Sequence, residues 1–410
     1  LDTITFNIGG GGLQTIQPLS ALPSLTDPVV IDGWSQPGYS GQPLIEVDGV
    51  GLAGDILELD FGSNGSTVRG LILNRAGGSG VVVFSASNTI SGNYIGTDSS
   101  GTLDLGNGVF GIAINSANNV IGGLTAAERN LISGNNNTGL IVFAGNNNVI
   151  VGNYVGTTAN GTSALGNAGE GIDLRSTSNT IGGTAVGAGN LVSGNVGVGV
   201  SLLGASNNTV QGNTIGLNVT GTAILSNSYD GVRISSNSSG NLIGGNLAAA
   251  RNFISGNGQN GVLVTNNGSF NNSIVGNYIG TNASGTLDLG NLQAGVVISD
   301  AANNIVGGNT SAHGNLISGN NTSGVIIRNA ALANNQILNN YIGTNAAGTS
   351  AIPNTDFGVW VTQADNNLIG GTGVGNLISG NGDYGVWVQW STNTIVEGNI
   401  IGLDATGTNY

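Results

Sequence analysis

The stretch Gly111-Ile-Ala-Ile-Asn-Ser-Ala-Asn-Asn-Val-Ile-Gly-Gly123, followed by Asn130-Leu-Ile-Ser-Gly-Asn135 and a fresh Gly139-Leu-Ile-Val142, decides the fold. It contains three short segments, Gly111–Ile114, Asn119–Gly122 and Asn130–Ser133, in which apolar residues alternate with small or polar ones. Period-two alternation in short runs bounded by Gly and Asn reads as β-strand. No sustained apolar stripe of helical period occurs, so helices are not expected.

Outward from this stretch, the leading Gly recurs at Gly80, Gly111, Gly139, Gly171, Gly199, Gly231, Gly261, Gly295, Gly324, Gly358 and Gly385. Asn-Tyr-Ile-Gly-Thr stands at Asn93, Asn277 and Asn340, with variants at Asn153, Asn213 and Asn399. It alternates with Asn-Leu-Ile-Ser-Gly-Asn at Asn130, Asn315 and Asn376, varied at Asn190 and Asn252. A fixed period over most of a chain identifies a stacked array. Each turn is about 30 residues, and the more obvious repeat of about 60 is two turns. Three strands per turn, stacked about 4.8 Å apart, give an all-β fold: a single parallel β-helix, or β-solenoid, of about 13 turns. Residues 1–27 read as an N-terminal cap and 28–410 as the β-helix. Val81, Ile112, Leu140, Ile172, Val200, Val232 and Val262 form one inward column, each side chain stabilising by roughly 1.5–3 kcal/mol when fully buried. The Gly-Asn pairs at Asn93, Asn135, Asn153, Asn195, Asn213, Asn257, Asn277, Asn320, Asn381 and Asn399 are expected between the second and third strands, bonded amide to amide.

Composition narrows the function. The chain has 410 residues with 75 Gly, and only 7% are charged, against about 25% in ordinary soluble domains. Net charge is −14. Such a surface repels phosphate backbones, which excludes a nucleic-acid partner. The longest apolar runs, such as Val81–Phe84, are far too short for a membrane-spanning helix. There is no Cys, hence no disulfide framework, and all seven cations are Arg, so lysine chemistry is excluded. The chain starts at Leu1 without Met, which is compatible with an export signal already removed.

The Gly-Val/Ile-x-Ile, Asn-x-Ile-x-Gly-Asn and Ile-Gly-Gly segments resemble right-handed parallel β-helix repeat proteins of the pectin-lyase-like superfamily. The likeness covers 55–410 and extends to 28–54. The opening Ile31-Asp-Gly-Trp-Ser-Gln-Pro-Gly38 is similar to that of secreted bacterial β-helix repeat proteins. The resemblance implies a right-handed coil and an extracellular or cell-surface setting. It leaves activity open, because the superfamily includes lyases, hydrolases, epimerases, adhesins and surface fibres.

In an array, function is expected where the repeat breaks. The outward positions of the first strand carry a charged island: Glu170, Asp173, Arg175, Asp230 and Arg233. The turns led by Gly171 and Gly231 are two apart, about 9–10 Å, within side-chain reach of the carboxylate separation of an inverting glycosidase. The adjacent Asp-Asp pair, Gly-His-Gly and Arg-Ile-Lys of polygalacturonases are missing, and salt bridging on an exposed face is the plainer reading. The same strand places Phe84, Ile141, Phe143, Leu203, Leu263, Ile326, Trp360 and Trp387 outward. A patch this long needs a cover. Loops of the chain, a neighbouring protein, or a carbohydrate stacked on Trp360 and Trp387 are the three choices. His313, the sole histidine, reads as a solvated loop residue. No His/Cys metal set exists, so no metal site is assigned. Asp98, Asp104, Asp288 and Asp404 lie in Gly-Thr loops suited to Ca²⁺, but Thr158, Ala164, Asn218 and Ala351 interrupt any acidic ladder.

The sequence ends at Tyr410 inside the Ile-Gly-x-x-x-x-Gly-Thr loop. An open solenoid edge there would template another chain, and head-to-tail contacts give filaments. The leading expectation is therefore an extracellular structural β-solenoid of a surface or matrix, self-associating at its ends, with enzymatic activity left open. The alternatives are a polysaccharide-acting hydrolase or lyase centred on the island, and a carbohydrate-binding adhesin using Trp360 and Trp387.

Overall fold

The computed structural model describes residues 1–330 and 333–408, in two compact units, Leu1–Val200 and Ser201–Tyr410. Tyr410 lies outside the described residues. In both units every regular turn gives one strand to each of three parallel sheets, numbered here in the order the chain visits them. The all-β parallel β-helix with three strands per turn, expected from the sequence, is the fold found. Parallel strands joined by crossovers within one sheet coil right-handed.

In the first unit, sheet 1 runs from Leu57–Leu59 through Val81–Val83, Ile112–Ile114 and Leu140–Val142 to Ile172–Leu174. Sheet 2 runs from Asp2–Thr5 to Thr180–Gly182, and sheet 3 from Gln14–Ile16 to Leu191–Val192. Residues 1–27 thus already supply two strands, with Asp2 opposite Val29 and Gln14 opposite Ile45. In the second unit sheet 1 runs from Val232–Ser235 to Val386–Gln389, sheet 2 from Thr209–Gln211 to Ile395–Glu397, and sheet 3 from Thr214–Ile215 to Ile400–Ile401.

Parallel register puts like on like. Val81, Ile112, Leu140 and Ile172 are partners on successive rungs, and all are fully buried. Ile279, Ile317, Ile342 and Ile378 do the same on sheet 3 of the second unit. The leading Gly is needed because the chain turns inward hard against the next rung. A Cβ on Gly139 would lie 2.6 Å from the Asn167 amide nitrogen and 2.9 Å from the Gly171 carbonyl oxygen.

The asparagines depart from the sequence expectation. The Gly-Asn residues do not form one ladder; they alternate between two. Asn93 and Asn153 bond with Asn130 and Asn190 between sheets 2 and 3, at 2.9–3.1 Å. Asn135 and Asn195 bond instead with Asn107 and Asn167 after sheet 3, at 2.9–3.0 Å. The shared Gly-Asn spelling hides the difference: in alternate turns it falls before or after the third strand. A third ladder, Asn88–Asn119–Asn148–Asn179, joins sheets 1 and 2.

Candidate functional site

The outward face of sheet 1 carries the residues singled out above. In the first unit Val82, Ala113 and Ile141 are buried beneath Phe84 and Phe110 of the same chain. Phe110 meets Phe143 edge-on at 5.6 Å, and Phe61 stacks on Phe84 at 6.1 Å. The chain's own aromatics thus cover this part of the apolar strip. Ile141 has Asp173 as its rung partner. Asp173, 2% exposed, is held by the Arg175 Nε at 2.8 Å, and that guanidinium lies 5.4 Å from the Phe143 ring centroid. Glu170 accepts a hydrogen bond from the Thr138 hydroxyl at 3.0 Å.

In the second unit Asp230 is fully buried and pairs with Arg233 at 2.6 Å. Its other oxygen accepts from the backbone and side-chain amides of Asn260, at 3.1 and 2.8 Å. The island therefore resolves into two acid–arginine pairs, one in each unit, each bonded within its own strand region.

Further along the second unit the face changes character. Val297 and Ile326 are buried with Ala294, but the next two rungs are Trp360 and Trp387, in direct register. Their rings stack 5.7 Å apart at 13°. Phe357 stands 5.8 Å from Trp360 and 4.7 Å from Trp387, and stacks on Tyr384 at 6.0 Å and 3°. Tyr384 is 62% exposed, while both tryptophans are half-buried. Four rings thus make an open ledge. Beside it is a cavity of about 220 Å³, lined by Asn260, Gln293, Thr322, Arg328, Asp356 and Trp360 among others. The Trp360 indole N–H is buried without a hydrogen-bond partner among the described residues. Arg328 is exposed, with its Nε 3.3 Å from the Ser299 hydroxyl and no ion pair among the described residues.

Sequence reasoning found the two tryptophans and missed the residues that make the cavity polar. Of these, Gln293, Thr322 and Asp356 stand two before a leading Gly, a position that runs Gln259, Gln293, Thr322, Asp356 and Asp383 from Gly261 to Gly385. Over these five turns the column is a readable signal: it is polar at each and ends in two acids on consecutive rungs. The Asp383 N–H donates to the Asp356 carbonyl at 2.8 Å, so these residues stack directly.

The loop acids have local partners. Asp98 accepts from the N–H groups of Thr102 and Leu103 and from the Ser100 hydroxyl, at 2.6–3.0 Å. Burial works to raise its carboxyl, but these hydrogen bonds outweigh it and leave it below the ordinary range. Asp104 and Asp288 each accept from a Gly N–H two residues on, and Asp404 accepts from Thr406. Among the described residues no group of three or more His, Cys, Asp or Glu is placed to hold a metal. His313 bonds through Nδ1 with the Thr310 hydroxyl at 2.6 Å. No described helix is long and apolar enough to cross a membrane.

The fold and face together define a parallel β-helix with an aromatic, polar-edged ledge. No family model matches the chain, and no curated protein matches it. Among solved structures, the A-module of mannuronan C-5 epimerase AlgE6 from Azotobacter vinelandii is 17% identical, over 96% of this chain and 91% of its own, with a TM-score of 0.47. The AlgE4 A-module from the same organism is 14% identical over 95% and 92%, TM-score 0.46. The Dettilon tailspike protein is 19% identical over 81% and 61%, TM-score 0.39. The matches also include a periplasmic alginate epimerase and the catalytic domain of an α-1,3-glucanase. They correct the expectation of a purely structural filament: what is matched is named as epimerase, glucanase or tailspike.

Proposed function

We propose that the protein acts on polysaccharide, holding a glycan on the outward face of sheet 1 in its second unit. The observation that carries this reading is the ledge of Phe357, Trp360, Tyr384 and Trp387 beside a polar cavity. Flat ring stacks suit the C–H face of a pyranose, and amide, hydroxyl and carboxylate groups at their edge suit its hydroxyls.

For chemistry we assign Asp356 and Asp383. Rungs about 4.8 Å apart allow their carboxylates the separation of about 5–5.5 Å that glycoside cleavage through a covalent intermediate uses. Asp173 and Asp230, with Arg175 and Arg233, take a holding role, because each carboxylate already has a guanidinium against it. Glu170, bonded to the Thr138 hydroxyl, is given no catalytic role. Work outside the cytoplasm fits this activity, and one of the matched epimerases is named as periplasmic.

The test uses a panel of neutral and uronate polysaccharides, following binding by tryptophan emission and cleavage by new chain ends. Binding lost in Trp387→Ala and cleavage lost in Asp356→Asn are expected. Binding unchanged in both Trp360→Ala and Trp387→Ala would overturn the ledge. Binding without cleavage in the wild type would favour the adhesin, which the same ledge supports.

A further inference from the structure

A second surface of the second unit, on sheet 3, is built differently from its counterpart in the first. The outward column of sheet 3 alternates Tyr94, Leu131, Tyr154 and Leu191 in the first unit. In the second it runs Phe253, Tyr278, Leu316, Tyr341, Leu377 and Ile400. Two of the tyrosines are roofed by arginine. The Arg129 guanidinium lies 4.1 Å from the Tyr154 ring centroid, and Arg251 lies 3.9 Å from that of Tyr278. Both arginines are anchored alike, Nε donating to the carbonyls of Gly152 and Gly276 at 3.3 and 3.2 Å. Each immediately precedes a ladder asparagine, Asn130 or Asn252.

At the same position on later turns stand Gly314, before Asn315, and Gly375, before Asn376. Close backbone approach dictates these glycines: a Cβ on Gly314 would strike the Asn339 carbonyl, and one on Gly375 that of Gly398. Tyr341 therefore receives no arginine roof. The consequence is a groove of about 430 Å³ over Tyr278 and Tyr341, with Arg251 in its lining and Ser311 and Asn339 beside it. The corresponding place in the first unit, under Arg129, holds only about 50 Å³.

We propose that this groove binds an acidic oligosaccharide, one with carboxylates on its sugar rings, its carboxylate on Arg251 and a sugar ring on Tyr341. Three features select this ligand. Arg251 makes no ion pair among the described residues, in a protein of net charge −14 where four of the seven arginines are paired with acids. A guanidinium held over the Tyr278 ring, with its Nε on the Gly276 carbonyl, leaves its terminal N–H groups for a carboxylate. Tyr278 and Tyr341 are two rungs apart, about 9–10 Å, so the ligand spans about a disaccharide between the cation and the uncovered ring. The volume falls in the usual range of about 300–1,000 Å³ for small-ligand sites. The groove and the sheet 1 ledge share no residue, so the two readings stand or fall separately.

The test is titration calorimetry of the whole chain with tetragalacturonate and with neutral cellotetraose. Tetragalacturonate is expected to bind and cellotetraose to bind at least about tenfold more weakly, the loss of one charge-assisted contact. Arg251→Gln and Tyr341→Ala should each weaken the acidic ligand about tenfold. Tyr341→Phe should retain most of the affinity. Thermal unfolding checks that each variant is folded; if Tyr341→Ala is not, Arg251→Gln and Tyr341→Phe decide. No heat with tetragalacturonate at millimolar concentration, affinity for it indifferent to Arg251→Gln, or an equal loss of cellotetraose affinity in Arg251→Gln would overturn the proposal.

Discussion

Each ladder asparagine uses almost all of its hydrogen-bonding capacity. Asn277 shows what this demands. It is fully buried, donates to the side chain of Asn315 and to the carbonyls of Ile243 and Val275, and accepts from the side chain and N–H of Asn252. Alanine here would strand buried partners on both neighbouring rungs, at about 1–3 kcal/mol for each group left unsatisfied. Asn277→Ala should therefore lower the urea midpoint clearly, while Asn309→Ala on the exposed surface should stay within about 0.5 kcal/mol of wild type. A second residue-scale prediction concerns acid. Arg69 grips Asp32 through two hydrogen bonds, at 2.8 and 2.9 Å, while lying 4.5 Å from the Trp34 ring centroid. The hydrogen bond from Arg69 is the main cause that holds the Asp32 carboxyl below its usual range. A depressed folded value means that the stabilisation is complete above the ordinary ionisation near pH 3.9 and is lost as pH falls through the lowered value. Arg69→Gln should therefore be less stable than wild type at neutral pH, and the gap should close on acidification. A gap that stayed constant to low pH would mean that the pair contributes by packing alone.

At the scale of the strand, the energy lies in columns. Ile317 is fully buried between Ile279 and Ile342 on adjoining rungs of sheet 3. Ile317→Ala should cost about 2–5 kcal/mol and Ile317→Val about 0.5–1.5 kcal/mol, measured by denaturant unfolding. Rungs contact only their neighbours, so amide exchange should rise most in the turns flanking position 317. These inward columns were legible from period alone, since a two-residue alternation repeated every turn leaves one face to bury. The outward columns were only partly legible. Trp360 and Trp387 could be placed outward by counting from Gly358 and Gly385, but what covers an outward residue depends on loops whose path no period encodes. Hence Phe84 and Phe110 closing over Val82 and Ile141 could be weighed only as one cover among three. The Asn ladders were misassigned for a related reason: one dipeptide serves two corners, and only the lengths of the loops between them separate Asn93 from Asn135. The sheet 3 groove was invisible from sequence because it is made by an absence, Gly314 and Gly375 where Arg129 and Arg251 stand on other turns.

For the molecule as a whole, charge decides which ligand each surface can take. A net charge of −14 with few cations surrounds the protein with a repulsive field for any polyanion. Salt screens this field over about 10 Å at 0.1 M but reaches about 30 Å at 0.01 M, so the repulsion is a low-salt effect. A contact between Arg251 and a carboxylate acts at hydrogen-bond range and is screened far less. Association of an acidic oligosaccharide with the groove should therefore speed up as salt rises from about 10 mM to about 100 mM, the reverse of an electropositive site. The ledge works by ring stacking and by hydrogen bonds to uncharged sugar hydroxyls, so a neutral glycan there should keep its affinity within about twofold over the same range. Tryptophan emission separates the two sites. Trp360, Trp387 and Trp390 belong to the second unit and the first two stand in the ledge, whereas the groove is lined by tyrosine. Stopped-flow mixing at several salt concentrations, read by emission for the neutral glycan and by displacement of a labelled acidic one for the groove, checks both. An acidic ligand whose association slows with added salt would mean that it is drawn to a basic surface, which this composition does not offer.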